Sequence, residues 1–173
     1  EPDTGDRLAK IVKDLPINGN PVTIRADRKA KASHVSAVIE ALGAAGAPIT
    51  IELWEDFQCP ACGVFSRLAE PRLLEEYVVP GHVRLVYRDM AFLGQESVDA
   101  AVGARAAGQL LGASGFWAFH DLLFHNQDGE NGGAFDRTVL GDMAVSLGMD
   151  RAAFLAALDD REQLLVRDHD QRV

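Results

Sequence analysis

The segment WEDFQCPACGVFSRLAEP, Trp54–Pro71, contains both cysteines of the 173-residue chain, Cys59 and Cys62, in a C-x-x-C arrangement. It follows PITIELW (48–54), a β-branched run with few polar side chains, which is typical of a central strand. After Cys59 the apolar residues recur at helical spacing as far as Tyr77. The segment therefore predicts a buried strand that turns directly into a helix, with both cysteines at the start of the helix.

The start of a helix is a favourable place for a reactive thiol. Unpaired backbone N–H groups and the positive end of the helix dipole favour a thiolate there. Pro60 suits the first helical position, where its missing N–H costs nothing. Cys62 lies one turn further in, where we expect it to be the more buried cysteine. We interpret Cys59 as the attacking thiol and Cys62 as the resolving thiol of a redox pair.

Two other interpretations of the cysteines are open. A zinc site needs two more ligands, but the five histidines are scattered, and aromatic residues surround His120 and His125. Two small buried core cysteines are the other alternative. A redox pair is favoured because a strand, a C-P-x-C motif and a helix in succession are the context for thiol exchange. The sequence thus predicts a redox-active centre without a metal.

Composition excludes several classes of function. A chain of 173 residues can bury a core without a disulfide or metal, so the cysteines are available for chemistry. Its net charge of −9 argues against binding to nucleic acid or anionic lipid. No apolar run reaches the roughly 18–20 residues of a membrane span, so no membrane insertion is expected. No glycine-rich phosphate loop precedes a helix, and we expect no cofactor.

The order of elements indicates an α/β fold. VTIRAD (22–27) and HVRLVYRDM (82–90) have the pattern of strands, ASHVSAVIEALGAAG (32–46) has that of a helix, and Pro71 is expected to kink the helix after Cys59. Beyond these, the sequence predicts helical segments near 95–111, 114–126, 136–147, 151–158 and 160–172. Two strand–helix–strand units followed by helices predict a small parallel sheet with a helical subdomain.

The stretch ITIELWEDFQCPACGVFSRLAEPRLLEEYVVPGHVRLVYRDM (49–90) resembles the active-site region of DsbA-like thiol–disulfide oxidoreductases of the thioredoxin superfamily. GFWAFHDLLFHNQ (115–127) and LGMDRAAFLAALDD (147–160) resemble the helical subdomain of that family. The resemblance implies a thioredoxin-like sheet with an inserted helical subdomain. It also implies a protein disulfide oxidoreductase in which Cys59 is the nucleophile and Cys62 resolves the mixed disulfide.

The resemblance further implies protein thiols as substrates, a membrane-bound reoxidant as a partner, and an exported location in the periplasm or cell envelope. The chain begins without Met or an apolar signal core, so we expect the targeting segment to be absent from it. Pro60 and Ala61 would tune the redox pair. Because Ala61 stands where strongly oxidising relatives carry histidine, we expect a mild oxidant. The rival interpretation is a non-catalytic thioredoxin-like binding domain or an inactive fragment.

One departure from the family concerns a buried acid. Many relatives carry a carboxylate six residues before the first cysteine, where this chain has Leu53. Glu52 and Glu55 lie nearby and are candidate tuning residues. Because side chains alternate between the faces of a strand, Glu52 could substitute only if a bulge realigned it. We therefore expect Glu52 to be an edge-facing, solvated acid.

A second departure concerns the end of the chain. Relatives continue into a strand pair entered through a cis-proline, but no proline follows Pro80, so we expect this pair to be missing. Either the chain is truncated, or the strands come from elsewhere, for which DLPINGNPVTI (14–24) is a candidate. The segment 22–46 is also similar to a strand–helix unit of TolR/ExbD-type domains.

Residues 1–34 carry seven Lys and Arg side chains against five Asp and Glu, and no lysine follows Lys31. We therefore divide the chain into an N-terminal leader or edge segment (1–34), a thioredoxin-like core with the CPAC motif (35–94) and a helical subdomain (95–173). In that subdomain, residues 116–124 predict an aromatic core helix, with a substrate-facing groove as the alternative. We interpret His120 as a hydrogen-bonded core histidine rather than a catalytic base.

Overall fold

The computed structural model describes residues 22–24, 37–39, 42, 49–160 and 171–172, with only the backbone described at 22–24 and 171–172. The strands are β1 (Val22–Ile24), β2 (Ile49–Glu55), β3 (Val83–Asp89) and β4 (Gln171–Arg172). The helices are α1 (Pro60–Leu68), α2 (Glu70–Leu73), a π-helix (Leu74–Val78), α3 (Gln95–His125), α4 (Arg137–Ser146) and α5 (Arg151–Asp159). Residues 37–39 and 42 are also helical.

The four strands form one sheet in the order β1-β2-β3-β4. β1 runs parallel to β2, with Val22 opposite Ile49, and helical residues lie between these strands along the chain. This confirms the first predicted strand–helix–strand unit. β4 runs antiparallel to β3, with Leu85 opposite Arg172. Among the described residues there is no cis peptide bond.

The predicted helix at 160–172 is wrong where the structure describes it. Residue 160 ends α5 without helical conformation, and residues 171–172 are extended as β4. Strand pairing with β3 replaces helical hydrogen bonds at these positions. Residues 161–170 lie outside the described residues, as do 25–27 of the predicted first strand and 32–36 of the helix that follows it.

The chain divides into two compact units. The first unit comprises residues 1–53, 71–86 and 171–173, and the second comprises 54–70 and 87–170. The described core of the first unit is aliphatic, and its buried side chains are Ile39, Leu42, Ile49, Ile51, Leu53, Val78, Val83, Leu85 and Val86. The second unit contains the C-x-x-C motif, most of the buried aromatic side chains, and α3, α4 and α5.

The helix after the cysteines is interrupted where proline predicts it. α1 ends at Leu68, and α2 begins at Glu70, one residue before Pro71. Proline lacks the N–H that would continue the hydrogen-bond ladder, so a break one turn earlier is expected. The chain then adopts a π-helix at Leu74–Val78 instead of a regular α-helix.

The second unit is built from helices with clear local signals. The predicted segments 95–111 and 114–126 join into α3, which is broken at Gly112, where φ is 73° and ψ is −164°. Asp136 caps α4 by accepting from the N–H groups of Thr138 and Val139, and Asp150 caps α5 by accepting from Ala153. Within the described residues, no helix combines the length and apolar character needed to cross a membrane.

Candidate active site

The two cysteines lie at the start of α1, as the sequence predicts. Cys59 is the N-cap residue with φ −69° and ψ 118°, and Pro60 occupies the first turn. The N–H of Cys59 donates to the carbonyl oxygen of Asp56 at 2.9 Å, and the N–H of Gly63 donates to that of Cys59 at 3.0 Å. Pro60 and Ala61 are both exposed. The two residues between the cysteines are therefore exposed in the first turn of α1, which begins directly after Cys59.

Asp56 holds the turn that precedes the cysteines. It is 1% exposed, and its Oδ1 accepts from the N–H of Gln58 at 2.8 Å. Its Oδ2 accepts from the N–H groups of Phe92 and Leu93 at 2.8 and 3.0 Å. One buried carboxylate thus fixes both the turn before Cys59 and the loop after β3.

Gln127, just after α3, holds the same turn from the helical side. Its Nε2 donates to the carbonyl oxygens of Phe57 at 2.7 Å and Cys59 at 3.0 Å. Its Oε1 accepts from Arg67 at 3.4 Å, and Arg67 also donates to the carbonyl oxygen of Phe124. The carbonyl groups on both sides of the turn are therefore bound by a side chain about 70 residues further along the chain.

Gln58 provides a third attachment for this turn. Its Nε2 donates to Oγ of the buried Ser97 at 2.7 Å, and its Oε1 accepts from the N–H of Asn131 at 2.5 Å. Sequence reasoning did not identify Asp56, Gln58 or Gln127. The available signal was weak: Asp56 and Gln58 are polar residues between a predicted buried strand and a predicted helix, where a buried polar group needs a hydrogen-bond partner.

The two thiols have different environments. They share a hydrogen bond, and they are reduced in this structure. Cys59 is 8% exposed, at the end of a run (55–59) that is entirely buried, whereas Cys62 is half-buried. The expectation that Cys62 is the more buried cysteine is therefore wrong, because the turn held by Asp56 and Gln127 lies at Cys59.

The Cys62 thiol is held in its protonated form. Burial raises the pKa of Cys62 to about 12; an N–H of Asp56 acts to lower it, and the hydrogen bond to Cys59 and the charge of Glu55 add to the rise. A thiol with this pKa is a poor nucleophile until it is deprotonated. Cys62 is therefore poorly suited to attack a disulfide as long as it keeps its proton.

Glu55 is the buried acid whose charge acts on Cys62. It is 6% exposed at the end of β2, and its Oε2 lies 3.7 Å from Nε2 of His120. Glu52, which was expected to be an edge-facing, solvated acid, is half-buried in the first unit. Residues two apart share a face of a strand, so Glu55 has the same orientation as Leu53, the family's acid position. The buried carboxylate of this chain thus lies two residues after the position at which the family carries its acid.

His120 is fully buried, and the acids around it favour its charged form. Burial alone lowers the pKa of an imidazole, but the hydrogen bond to Asp121 and the nearby carboxylates of Glu55 and Glu70 raise the pKa of His120 to about 9. Its Nδ1 lies 2.8 Å from Oδ1 of Asp121. The interpretation of His120 as a hydrogen-bonded core histidine is confirmed, although its ion pairs were not predicted.

Aromatic rings enclose the imidazole of His120. Its ring centroid lies between 4.9 and 6.3 Å from the centroids of five rings, those of Phe57, Tyr87, Phe116, Trp117 and Phe124. These five side chains are 5% exposed or less. The prediction that the aromatic residues of α3 form core is confirmed.

The described residues contain one group with the spacing of metal ligands. Ligand atoms of Glu70, His120 and Asp121 lie within 4.8 Å of one another. Nδ1 of His120 is already hydrogen-bonded to Asp121, so we interpret this group as a charged histidine with its counter-ions rather than a metal centre. Cys59 and Cys62 belong to no such group in the described part of the chain.

Comparison with known proteins gives consistent matches. The family model described as Thioredoxin matches residues 37–169. The chain is 34% identical over 103 residues to the probable disulfide bond formation protein D of Bacillus cereus, which covers 58% of this chain and 47% of that protein. The oxidised crystal structure of BdbD from Bacillus subtilis superposes with a TM-score of 0.62 at 25% identity, covering 69% of this chain and 65% of that one.

A shorter match is to the Na(+)/H(+) antiporter NhaA 3 of Salinispora tropica, which is 38% identical over 82 residues. It covers 47% of this chain and 12% of that protein. The chain spans about half the length of the curated disulfide bond formation proteins that it matches.

Proposed function

This chain belongs to the thioredoxin family, and we propose that it is a thiol–disulfide oxidoreductase that exchanges disulfides with protein thiols through Cys59 and Cys62. The predicted DsbA-like resemblance and the thioredoxin-like α/β fold are confirmed. The observation that carries the proposal is one arrangement: two hydrogen-bonded thiols at a helix start, with Cys59 as N-cap and Cys62 held protonated.

The reaction begins with the oxidised pair. A substrate thiolate attacks Sγ of Cys59, a substrate–Cys59 disulfide forms, and the bond to Cys62 breaks with its electron pair left on Cys62. The Cys62 thiolate then takes up a proton. A second substrate thiolate attacks the substrate sulfur, so the substrate disulfide forms and Cys59 leaves as a thiolate. The substrate loses two electrons and the cysteine pair gains two.

Fixed hydrogen bonds around the turn support the choice of Cys59 as the attacked atom. Asp56 and Gln127 hold the backbone on either side of Cys59, so its sulfur keeps one direction relative to the helix start. The high pKa of Cys62 favours its departure only when a proton is supplied, because a basic thiolate is a poor leaving group. Catalysis thus depends on proton delivery to the second sulfur.

We assign tuning roles to Pro60, Ala61, Glu55 and Glu52. Pro60 starts the helix, and Ala61 adds no cation beside the thiolate, which favours a mild oxidant. Glu55 acts electrostatically on Cys62. Glu52 lies in the first unit, and its role would be indirect.

Partners and location are part of the proposal. Protein thiols and disulfides would be the substrates, a membrane-bound protein would reoxidise Cys59 and Cys62, and exchange would take place in an exported compartment, where disulfides persist. The division into segments 1–34, 35–94 and 95–173 also stays a proposal.

A stoichiometric assay tests the function. Oxidised protein would be mixed with a peptide that contains two cysteines, and both partners would be quenched in acid and counted by mass. One peptide disulfide should form for each protein disulfide consumed. Cys59→Ser and Cys62→Ser, each of which leaves one cysteine, serve as matched controls and should form no peptide disulfide in stoichiometric yield. Failure of the wild-type protein to oxidise the peptide would favour the non-catalytic binding domain instead.

A further inference from the structure

Helix α3 folds back on itself at its break, Gly112. A Cβ atom built at Gly115 would lie 2.6 Å from the carbonyl oxygen of Ala107, and one at Gly103 would lie 3.1 Å from Cε1 of Phe119. Both contacts join the two halves of α3, and the second pair lies further from the break on either side than the first. The halves are therefore antiparallel, and the start of α3 lies beside its end.

The loop after α3 is bound to the segment that leads into this helix. Oε1 of Glu96 accepts from the N–H of Gly133 at 2.8 Å, and its Oε2 accepts from the N–H of Phe135 at 3.1 Å. Nδ2 of Asn131 donates to the carbonyl oxygen of Leu93 at 2.8 Å. The loop is therefore held in one place against the start of α3.

The backbone of Asn131 is fixed in a direction that few residues adopt. Its φ is 53°, in the left-handed region that asparagine tolerates better than most side chains. Its side chain packs so closely on the backbone of Gly94 that a Cβ atom there would collide with it. The N–H of Asn131 is thus aimed at one acceptor, Oε1 of Gln58.

The side chain of Gln58 joins the two ends of α3. Its Nε2 donates to Oγ of Ser97, in the first turn of the helix, at 2.7 Å, and its Oε1 accepts from Asn131, beyond the end of the helix. Gln58 is 2% exposed and Ser97 is 0% exposed. A carboxamide offers a donor and an acceptor on one rigid group, whereas a carboxylate could not donate to Ser97. Glutamine therefore suits both ends at once.

We propose that Gln58 is a positioning residue for disulfide exchange, which fixes the backbone that carries Cys59 by binding both ends of α3. The inference rests on the proposed function and deepens it. Gln58 directly precedes Cys59, and its own N–H donates to the buried Asp56 at 2.8 Å. Main chain and side chain of Gln58 are thus both held, and Cys59 follows from a fixed point.

The chemistry of exchange makes this position matter. A thiolate displaces one sulfur of a disulfide from the other, and the three sulfur atoms lie nearly in a line as it does so. The direction of Sγ of Cys59 therefore decides how many encounters are productive. A misplacement of about 1 Å can lower a rate by about 10²-fold. Without the two bonds of its side chain, Gln58 would leave Cys59 free to turn away from this line.

Single-turnover oxidation of a peptide with two cysteines tests the proposal. The oxidised wild type would be compared with Gln58→Met, which keeps the length of the side chain and removes both hydrogen bonds, and with Ser97→Ala, which removes one partner. Gln109→Met, at an exposed position of α3, is the matched control. Gln58→Met should lower the rate by about 10- to 100-fold, Ser97→Ala should lower it less, and the control should match wild type.

The equilibrium between the Cys59–Cys62 disulfide and glutathione separates positioning from stability. A side chain that only stabilised the fold would stabilise the oxidised and reduced proteins equally, and its loss would leave this equilibrium unchanged. Loss of positioning makes the disulfide close less readily, so in Gln58→Met the equilibrium should shift toward the reduced pair by up to about 10-fold. The combination of Gln58→Met with Ser97→Ala should be no slower than Gln58→Met alone, because Ser97 acts through Gln58.

A folded Gln58→Met protein with the wild-type rate and the wild-type glutathione equilibrium would overturn the proposal. Independent, multiplying effects of the two substitutions would also overturn it. If Gln58→Met did not fold, Ser97→Ala would decide by the same two measurements. If the wild-type protein oxidised no peptide, the proposed function would fall, whereas the glutathione equilibrium would still show whether Gln58 positions Cys59.

Discussion

Gly63 and Gln127 form a lock on the turn that carries Cys59, and substitution of the glycine tests it. A Cβ atom at Gly63 would collide with Oε1 of Gln127 and would lie 2.8 Å from its Cδ and from Nη1 of Arg67. The glutamine side chain would have to move away. It would then lose its hydrogen bonds to the carbonyl oxygens of Phe57 and Cys59.

The expected size of this effect follows from two opposing terms. Two hydrogen bonds at about 1 kcal/mol each amount to a loss of about 2 kcal/mol. Replacement of a helical glycine by alanine contributes a gain of about 1 kcal/mol. Gly63→Ala should therefore lower the free energy of unfolding by about 1 kcal/mol. With Gln127 replaced by alanine, only the flexible end of the Arg67 side chain has to move, and the same Gly63→Ala change should raise the free energy of unfolding by about 1 kcal/mol.

Chemical denaturation of the oxidised wild type, Gly63→Ala, Gln127→Ala and the double variant measures this reversal of sign. The coupling free energy between the two positions should be about 2 kcal/mol. A Gly63→Ala effect of the same sign and size in both backgrounds would refute the lock. In that case the turn would be held by Asp56 and Gln58 rather than by Gln127.

Three further outcomes are expected. The pKa of His120 is about 9 in the folded protein against an ordinary 6.5. Its charged form therefore stabilises the fold by about 3 kcal/mol below pH 6.5, and this stabilisation is lost as the pH rises through 9. Denaturation of wild type and His120→Gln should show that the difference between their free energies of unfolding shrinks by that amount over this pH range. A difference that does not change with pH would contradict the prediction. With a pKa of about 12, Cys62 in a reduced Cys59→Ser variant should be alkylated at pH 8 some 10- to 100-fold more slowly than an ordinary thiol, and an ordinary rate would disprove its protection. Arg105→Met should lower the free energy of unfolding by about 3–5 kcal/mol in the same denaturation assay, because it removes the guanidinium that donates to Asp89 at 2.7 and 2.8 Å. Adding Asp89→Asn should recover part of this loss, because it removes the unpaired charge.

Local signals made the centre of the fold predictable. The β-branched run before Cys59, proline at the first helical position and the apolar repeat after it all indicate one structure, and the structure has β2 followed by α1. Pro71 and Gly112 marked helix breaks for equally local reasons, a missing N–H and a positive φ. Each of these features depends on residues within one or two turns of each other.

The attachments of the turn could not be predicted in this way. Gln127 and Asn131 reach the turn from about 70 residues away, and a single polar residue in a helix or loop has no periodic pattern that reveals its partner. The helix predicted at residues 171–172 is wrong for a related reason, because pairing with β3 outweighs the helical pattern of the sequence there.

The position of the buried acid could be predicted from the sequence. Glu55 is two residues from Leu53, so the alternation of a strand predicts that both have the same orientation, whereas Glu52 has the opposite one. The raised pKa of His120 could not be predicted, because it depends on Glu55, Glu70 and Asp121 lying close to the imidazole in the folded chain.

Trapping of the mixed disulfide tests the central claim most directly. Cys62→Ser and Cys59→Ser proteins, each with a single cysteine, would be incubated with a peptide carrying an activated disulfide and then with a reduced substrate protein, and the adducts would be mapped by mass spectrometry. The account predicts a rapidly formed adduct at Cys59 that persists in Cys62→Ser, and slow, sparse modification of Cys62 in Cys59→Ser. Equal reactivity of the two variants, or faster modification of Cys62, would contradict the assignment of Cys59 as the attacking thiol.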